Sequence, residues 1–352
     1  MNDGGRWIHQ GCELLPSEMT GPFVSLPDGS LLTVVGNMVM ISVDDGASWT
    51  ERNILYDGDG PGIPDGGRSP GNRSPLIRTA GGVLIMVYTD MAERVWEWDE
   101  ETREPTPETH SEVWAIRSTD DGWTWDHRQQ VGHGICCVSG IIQRSWGEVI
   151  VPCQPFVRDP ARWITHSLVT WDEGETWRSG NVIDLGGHGH HDGAIEAAIV
   201  ELRDERVLML LRTNLDEFWA AYSDDGLYFR EIGPSGIDAS AAPGCLLRLR
   251  SGRIALVWNR YAYESGTVPE MWGGDEQWSH RPASSQRQEL SIAFSDDECE
   301  TWTEPVVIAR CMGSAVCYPD AFERSPGEIW ITSCFQPRPA LCLKLTEADF
   351  AG

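Results

Sequence analysis

The chain has 352 residues and a formal net charge of −27, from 27 Lys and Arg against 54 Asp and Glu. That excess argues against nucleic acid and anionic membrane surfaces as partners, since both repel an acidic exterior. No apolar run is long enough to span a bilayer, and the first residues lack a basic segment followed by an apolar one. Nor do the ten cysteines contain a C-x-x-C pair, so the expectation is a cytoplasmic chain with reduced thiols, no structural zinc and no cofactor.

Six stretches read as an apolar strand, a turn and a second apolar strand: 22–35, 75–88, 140–152, 197–211, 244–258 and 320–333. An eight-residue pattern of Ser/Thr, Asp, Gly and an aromatic follows the first five. Its copies are Ser42-Asp44-Gly46-Trp49, Ser118-Asp120-Gly122-Trp125 and Thr170-Asp172-Gly174-Trp177, then the degraded Tyr222-Asp224-Gly226-Phe229 and Ser295-Asp297-Cys299-Trp302. In each, the Asp caps its own turn, the Gly takes a positive φ and the aromatic folds back over the hairpin. Six such units at a period of about 50–60 residues are the signature of a propeller. The predicted fold is all-β, a six-bladed β-propeller of four-stranded antiparallel blades, forming one domain over residues 1–352. The sixth unit ends near Lys344, and residues 6–9 are expected to supply its missing outer strand.

In a four-stranded blade the 1–2 and 3–4 turns share one face, while the 2–3 loops and inter-blade links share the other. The eight-residue turns belong to the first face and are structural. The stretch 188–212 matters most for the second. Its strands, 196–202 and 206–211, are apolar enough to lie inside, yet Glu196 opens the first and Arg212 follows the second. A hairpin makes those ends neighbours, and buried charge is costly unless paired. His188, His190, His191 and Asp192 lead into the same edge. Arg73, ahead of Pro75, Arg287, at the start of the third strand of blade five, and Tyr318, ahead of Pro319, fall on the same face. The long 2–3 loops 89–112, 154–163 and 260–287 open there as pocket walls.

These residues resemble the sialidase (neuraminidase) superfamily, whose six-bladed propeller carries such "Asp-box" turns. The resemblance spans nearly the whole chain. The Asp-box is specific to the fold; the E-x-x-x-V-E-L run from Glu196 and the L-M-L-L-R run ending at Arg212 are the informative match. The resemblance implies that Glu196 supports a nucleophile, that Arg212 and Arg287 belong to a carboxylate-binding arginine triad, and that Tyr318 is the nucleophile. It departs in blade one, where the family's R-x-P reads Thr20-Gly21-Pro22. An R-x-P does occur in blade two, Arg73-Ser74-Pro75, and the short Gly36-Asn37 connection leaves no room for the family's acid/base loop.

The chemistry follows from residue type. Guanidinium groups match a carboxylate bidentately, so Arg73, Arg212 and Arg287 are substrate-clamp candidates. The resemblance makes Tyr318 and Glu196 candidates for a nucleophile–base pair, the route of retaining sialidases. His191 and Asp192 are acid/base candidates, with Asp65, Asp90 and Asp99 as further acids; His190 and Asp90 are substrate contacts. Trp96, Trp98, Trp272 and Trp278 lie on long loops and suit sugar stacking. The expected function is a sialidase-like glycoside hydrolase releasing a terminal acidic or modified sugar from a glycan. The alternatives are a lyase or hydrolase acting on a uronic acid or deoxy sugar, and a non-catalytic carbohydrate-binding propeller. An anion site built on Arg73 would be rotated by one blade, so simple sialosides are expected to fit poorly.

Overall fold

The computed structural model describes residues 6–54 apart from 16 and 18, then 74–89, 94–99, 101–102, 104–136, 140–264, 266, 271–274, 279–284, 286–336 and 341–350. Six antiparallel sheets follow one another along the chain, each with its first strand innermost. Blade one comprises Val24–Ser25, Leu31–Val35, Met38–Ser42 and Thr50–Ile54; blade two Leu76–Arg78, Leu84–Thr89, Glu112–Ser118 and Asp126–His133. Blade three comprises Ile142–Gln143, Val149–Gln154, His166–Thr170 and Arg178–Ser179; blade four Ile195–Glu201, Val207–Arg212, Glu217–Ser223 and Phe229–Asp238. Blade five holds Cys245–Arg248, Ile254–Trp258, Glu289–Ser295 and Val306–Cys311; blade six Ala315–Ser325, Glu328–Gln336 and Leu341–Thr346. Residues in or next to the innermost strands of all six line one cavity, among them Phe23, Leu76, Ile141, Ile199, Leu246 and Ala321. Between blades the sheets pack face to face through apolar residues, as where Val200 and Leu210 of blade four join Leu246 and Leu256 of blade five.

Ring closure differs from the sequence expectation. Cys12–Leu14 supplies the outer strand of blade six, pairing with Leu341–Thr346, whereas Arg6–Ile8 adds a fifth strand to blade five beside Val306–Cys311. Two short edge strands compete for two open edges, and the turn between them (Cys12 N to His9 O, 2.9 Å) lets one segment cover both.

The eight-residue turns have the expected construction. In the first, the Ser48 hydroxyl and amide donate to Asp44, at 2.5 and 2.9 Å, and hold its carboxyl below the ordinary range. The Ser42 hydroxyl accepts from Gly46 N at 2.8 Å. The fourth turn is corrected by one residue: Ser223 and Asp225, not Tyr222 and Asp224, make these bonds, because this turn is shorter. In the fifth, Cys299 takes the glycine's place with φ 71°. At Gly226 φ is +73° and a Cβ would lie 2.3 Å from Ile150 Cδ1; at Gly36 φ is +63° with nothing within 4 Å. Gly36→Ala should therefore cost about 1 kcal/mol, the left-handed penalty alone, and Gly226→Ala about 2–4 kcal/mol, with overpacking added. Equal urea midpoints for the two variants would contradict the role given to the fourth turn.

Candidate functional site

The turns and the candidate site lie at opposite ends of the blades. Glu201 pairs with Val207 at the turn end of blade four, and Ile195 pairs with Arg212 at the other. At that second end the ladder breaks. The register slips between Ile195 and Ala198, and Glu196, within the slip, has φ 39°. In blade six the register slips between Cys317 and Asp320, and Tyr318, within that slip, has φ 55°. A bulge re-aims a side chain out of the pleat, and left-handed backbone at a non-glycine residue persists only where its surroundings hold it. Tyr318 thus lies inside the long strand Ala315–Ser325, not at the opening of the blade as the sequence suggested.

Arg212 joins the two distorted strands. Its Nη1 donates to the Glu196 carboxylate, with side-chain exposures of 7% and 15% for Arg212 and Glu196. A second hydrogen bond links Arg212 to Tyr318. Burial alone would lower the Arg212 pKa, but the charge of Glu196 and the Tyr318 oxygen outweigh it, and the guanidinium stays firmly protonated. Burial raises the Tyr318 pKa, as does the Glu196 charge, while Arg287 and Arg212 pull it back. The Arg287 guanidinium stands 5.4 Å from the Tyr318 ring centre and donates to Ala241 O at 2.9 Å. Arg287 lies just ahead of the third strand, Glu289–Ser295. Glu196, Arg212, Arg287 and Tyr318 are therefore brought together, from three blades.

Asp192 is buried, and both its oxygens are engaged. Oδ1 accepts from the Asn214 amide, and Oδ2 accepts from His188 N at 3.0 Å. It braces the inter-blade loop. His191 and His190 stand on that loop with ring centres 4.7 Å apart. Burial lowers the His190 pKa from 6.5 to about 4, assisted by the charges of Arg212 and Arg94. Between those values the unfolded chain binds a proton that the folded chain does not, so stability falls as pH drops from 6.5 toward 4. Melting temperature should fall less steeply across that window in His190→Gln than in the wild type. Parallel slopes would contradict the burial of this imidazole.

Arg73, Asp65 and Asp90 lie outside the described residues, as do the side chains of Trp272 and Trp278. Asp99 is fully exposed; its carboxyl is held below the ordinary range by bonds from Thr102 and Glu101. Among the described residues no group of three or more His, Cys, Asp or Glu could hold a metal ion.

Three residues of this face were not anticipated. Gln154 accepts from Glu196 N, and its side chain is buried. Asn259, fully buried, donates to Glu289 O and Val316 O at 2.8 Å each, tying blade five to the strand that bears Tyr318. Gln154 ends the second strand of blade three, as Arg212 ends that of blade four, and Asn259 directly follows that of blade five; a polar residue closing each apolar run was the available signal. Arg94, on the long loop of blade two, lies over the Trp96 ring at 4.7 Å and acts on the same His190 as Arg212.

Residues 37–331 match the family model of the BNR repeat-like domain. No curated protein sequence matches the chain. Among solved structures, a protein of unknown function from Dyadobacter fermentans DSM 18053 is similar at 17% identity and TM-score 0.64, over 97% of this chain and 98% of that one. The intramolecular trans-sialidase from Ruminococcus gnavus, in complex with oseltamivir carboxylate, is similar at 12% identity and TM-score 0.61, over 94% of each chain. The NanB sialidase from Streptococcus pneumoniae gives 12% and 0.61, over 96% of this chain and 70% of that one. At such identities the likeness establishes the sialidase-like propeller fold.

Proposed function

The chain belongs to the BNR repeat-like domain family, and from that premise we propose that it is a glycosidase that removes a terminal carboxylate-bearing sugar from a glycan. The observation that carries this reading is the convergence of Glu196, Arg212, Arg287 and Tyr318 on one face. Arg212 and Arg287 clamp the sugar carboxylate, as guanidinium groups do best where water is scarce. Tyr318 Oη attacks the anomeric carbon and its proton passes to Glu196. The bond to the leaving oxygen breaks, and that oxygen takes a proton. Water then releases the sugar from the tyrosine. Of the two loop candidates we assign the leaving-group proton to His191, because both Asp192 oxygens already accept hydrogen bonds, one from His188 N in the same loop and one from the Asn214 amide beyond Arg212.

The resting tyrosine holds its proton, since burial and Glu196 both raise its pKa. Attack must therefore be coupled to proton transfer, and Glu196 is the carboxylate acting on that hydroxyl. Substrate selectivity should depart from simple sialosides. Blade one offers Thr20 where sialidases place an arginine, and the Thr20 carbonyl accepts from the Thr332 hydroxyl at 2.5 Å. Its second and third strands close through a two-residue turn, with Val35 opposite Met38. The test is release of aryl alcohol from a panel of acidic and neutral aryl glycosides that includes sialosides. Release from an acidic member, with weak turnover of simple sialosides, is the expected result. Binding of acidic sugars with no release from any member would replace the enzyme with a carbohydrate-binding propeller.

A further inference from the structure

Two long loops of neighbouring blades lock onto one another beside the cluster. Bridges Val95↔His110 and Trp98↔Pro105 shape the loop of blade two, and the ladder Phe156–Val157 with Arg162–Trp163 shapes that of blade three. Arg158 reaches across to donate to Thr106 O and Thr109 O at 2.7 and 2.8 Å. Glu104 reaches back, accepting from Ala161 N at 3.0 Å and pairing with His188 Nε2 at 3.1 Å. These bonds hold an aromatic wall. Trp96 stacks on buried Trp163, with centroids 5.2 Å apart and planes 10° from parallel; Trp98 meets Phe156 at 5.1 Å and His190 at 5.4 Å edge-on. The Trp163 indole N–H donates to His190 O at 2.7 Å, tying the wall to the loop that carries His191 and leads to Glu196.

On this wall stand Arg94, whose guanidinium lies over Trp96, and His190, which feels both Arg94 and Arg212. We propose that Trp98, His190 and Arg94 form a second subsite, which takes an acidic sugar adjoining the residue held at Tyr318 and reads its carboxylate with Arg94. This rests on the glycosidase reading above, because the subsite continues the same substrate chain. A tryptophan offers a sugar ring its apolar face. The imidazole, kept neutral by burial beside two cations, exchanges hydrogen bonds with a hydroxyl without adding charge. Arg94 is itself partly desolvated, which strengthens its attraction for a carboxylate. In a chain of net charge −27, three arginines around one site give an anionic ligand a local attraction that the exterior does not offer.

The test uses the full-length chain in a Tyr318→Phe background, so that turnover does not intrude. Titration calorimetry compares disaccharides containing glucuronate, galacturonate or iduronate with their carboxyl-reduced counterparts and with the acidic monosaccharides. At least one uronate disaccharide should bind tenfold or more tightly than its reduced form. Arg94→Gln should abolish that difference, Arg94→Lys should retain part of it, and monosaccharide binding at Arg212 and Arg287 should stay within about twofold. A preference for the carboxylate that survives in Arg94→Gln overturns the subsite, as does a panel in which no disaccharide binds better than its monosaccharide. Residual activity of Tyr318→Phe would overturn the nucleophile assignment instead and leave the Arg94 comparison standing.

Discussion

Tyr318→Phe is expected to lower kcat about 10³-fold or more while leaving the affinity for an acidic sugar within a few fold. The substitution removes one oxygen, the atom that attacks, and keeps the ring beside Arg287. A loss confined to kcat marks an interaction made only on the way to the transition state, and tenfold in rate corresponds to about 1.4 kcal/mol. Stability should fall by about 1 kcal/mol, the worth of the hydrogen bond with Arg212. Paired kcat and KM measurements on the glycoside released in the panel separate the outcomes. A rise in KM with kcat intact would make Tyr318 a binding residue only.

The second large effect is on Arg212. Arg212→Met should destabilise the fold by about 3–5 kcal/mol, because it strands the Glu196 carboxylate in a largely dry site and removes the bond with Tyr318. Adding Glu196→Leu should recover much of that loss, since two apolar side chains demand no pairing. Urea unfolding of the two single variants and the double variant closes the cycle. A single-variant cost below about 1 kcal/mol would mean that the pair is screened by solvent, as exposed ion pairs are. Both Arg212 variants should also lose the preference for carboxylated sugars.

Much of this architecture was legible in the sequence for local reasons. A turn built on Ser42, Asp44 and Gly46 is specified by residues within a few positions of one another, and repetition made it conspicuous. The Glu196–Arg212 pair was legible because a tight hairpin fixes which ends meet. What was missed depends on contacts distant in the chain, or on backbone that sequence does not announce. Ring closure turned on whether the strand at Arg6 or that at Cys12 won the edge of blade six, and both are short. The slips at Glu196 and Tyr318 place non-glycine residues at positive φ, where neither residue type signals it. Arg94 reaches the site only because loops of two blades close around Arg158 and Glu104, contacts roughly 50 residues apart in the chain. Its loop reads in the sequence as a pocket wall with Trp96 and Trp98 as stacking candidates, but nothing local singles out Arg94 among its charged neighbours.

The most direct measurement is the mass of the intact protein after incubation with fluorinated acidic glycosyl donors, whose slow release traps a covalent glycosyl-enzyme, followed by peptide mapping. The wild type should gain one glycosyl group, on the peptide bearing Tyr318, and Tyr318→Phe should gain none. Turnover of an acidic glycoside without labelling at Tyr318, or labelling that persists in Tyr318→Phe, would contradict a nucleophilic tyrosine supported by Glu196 and Arg212.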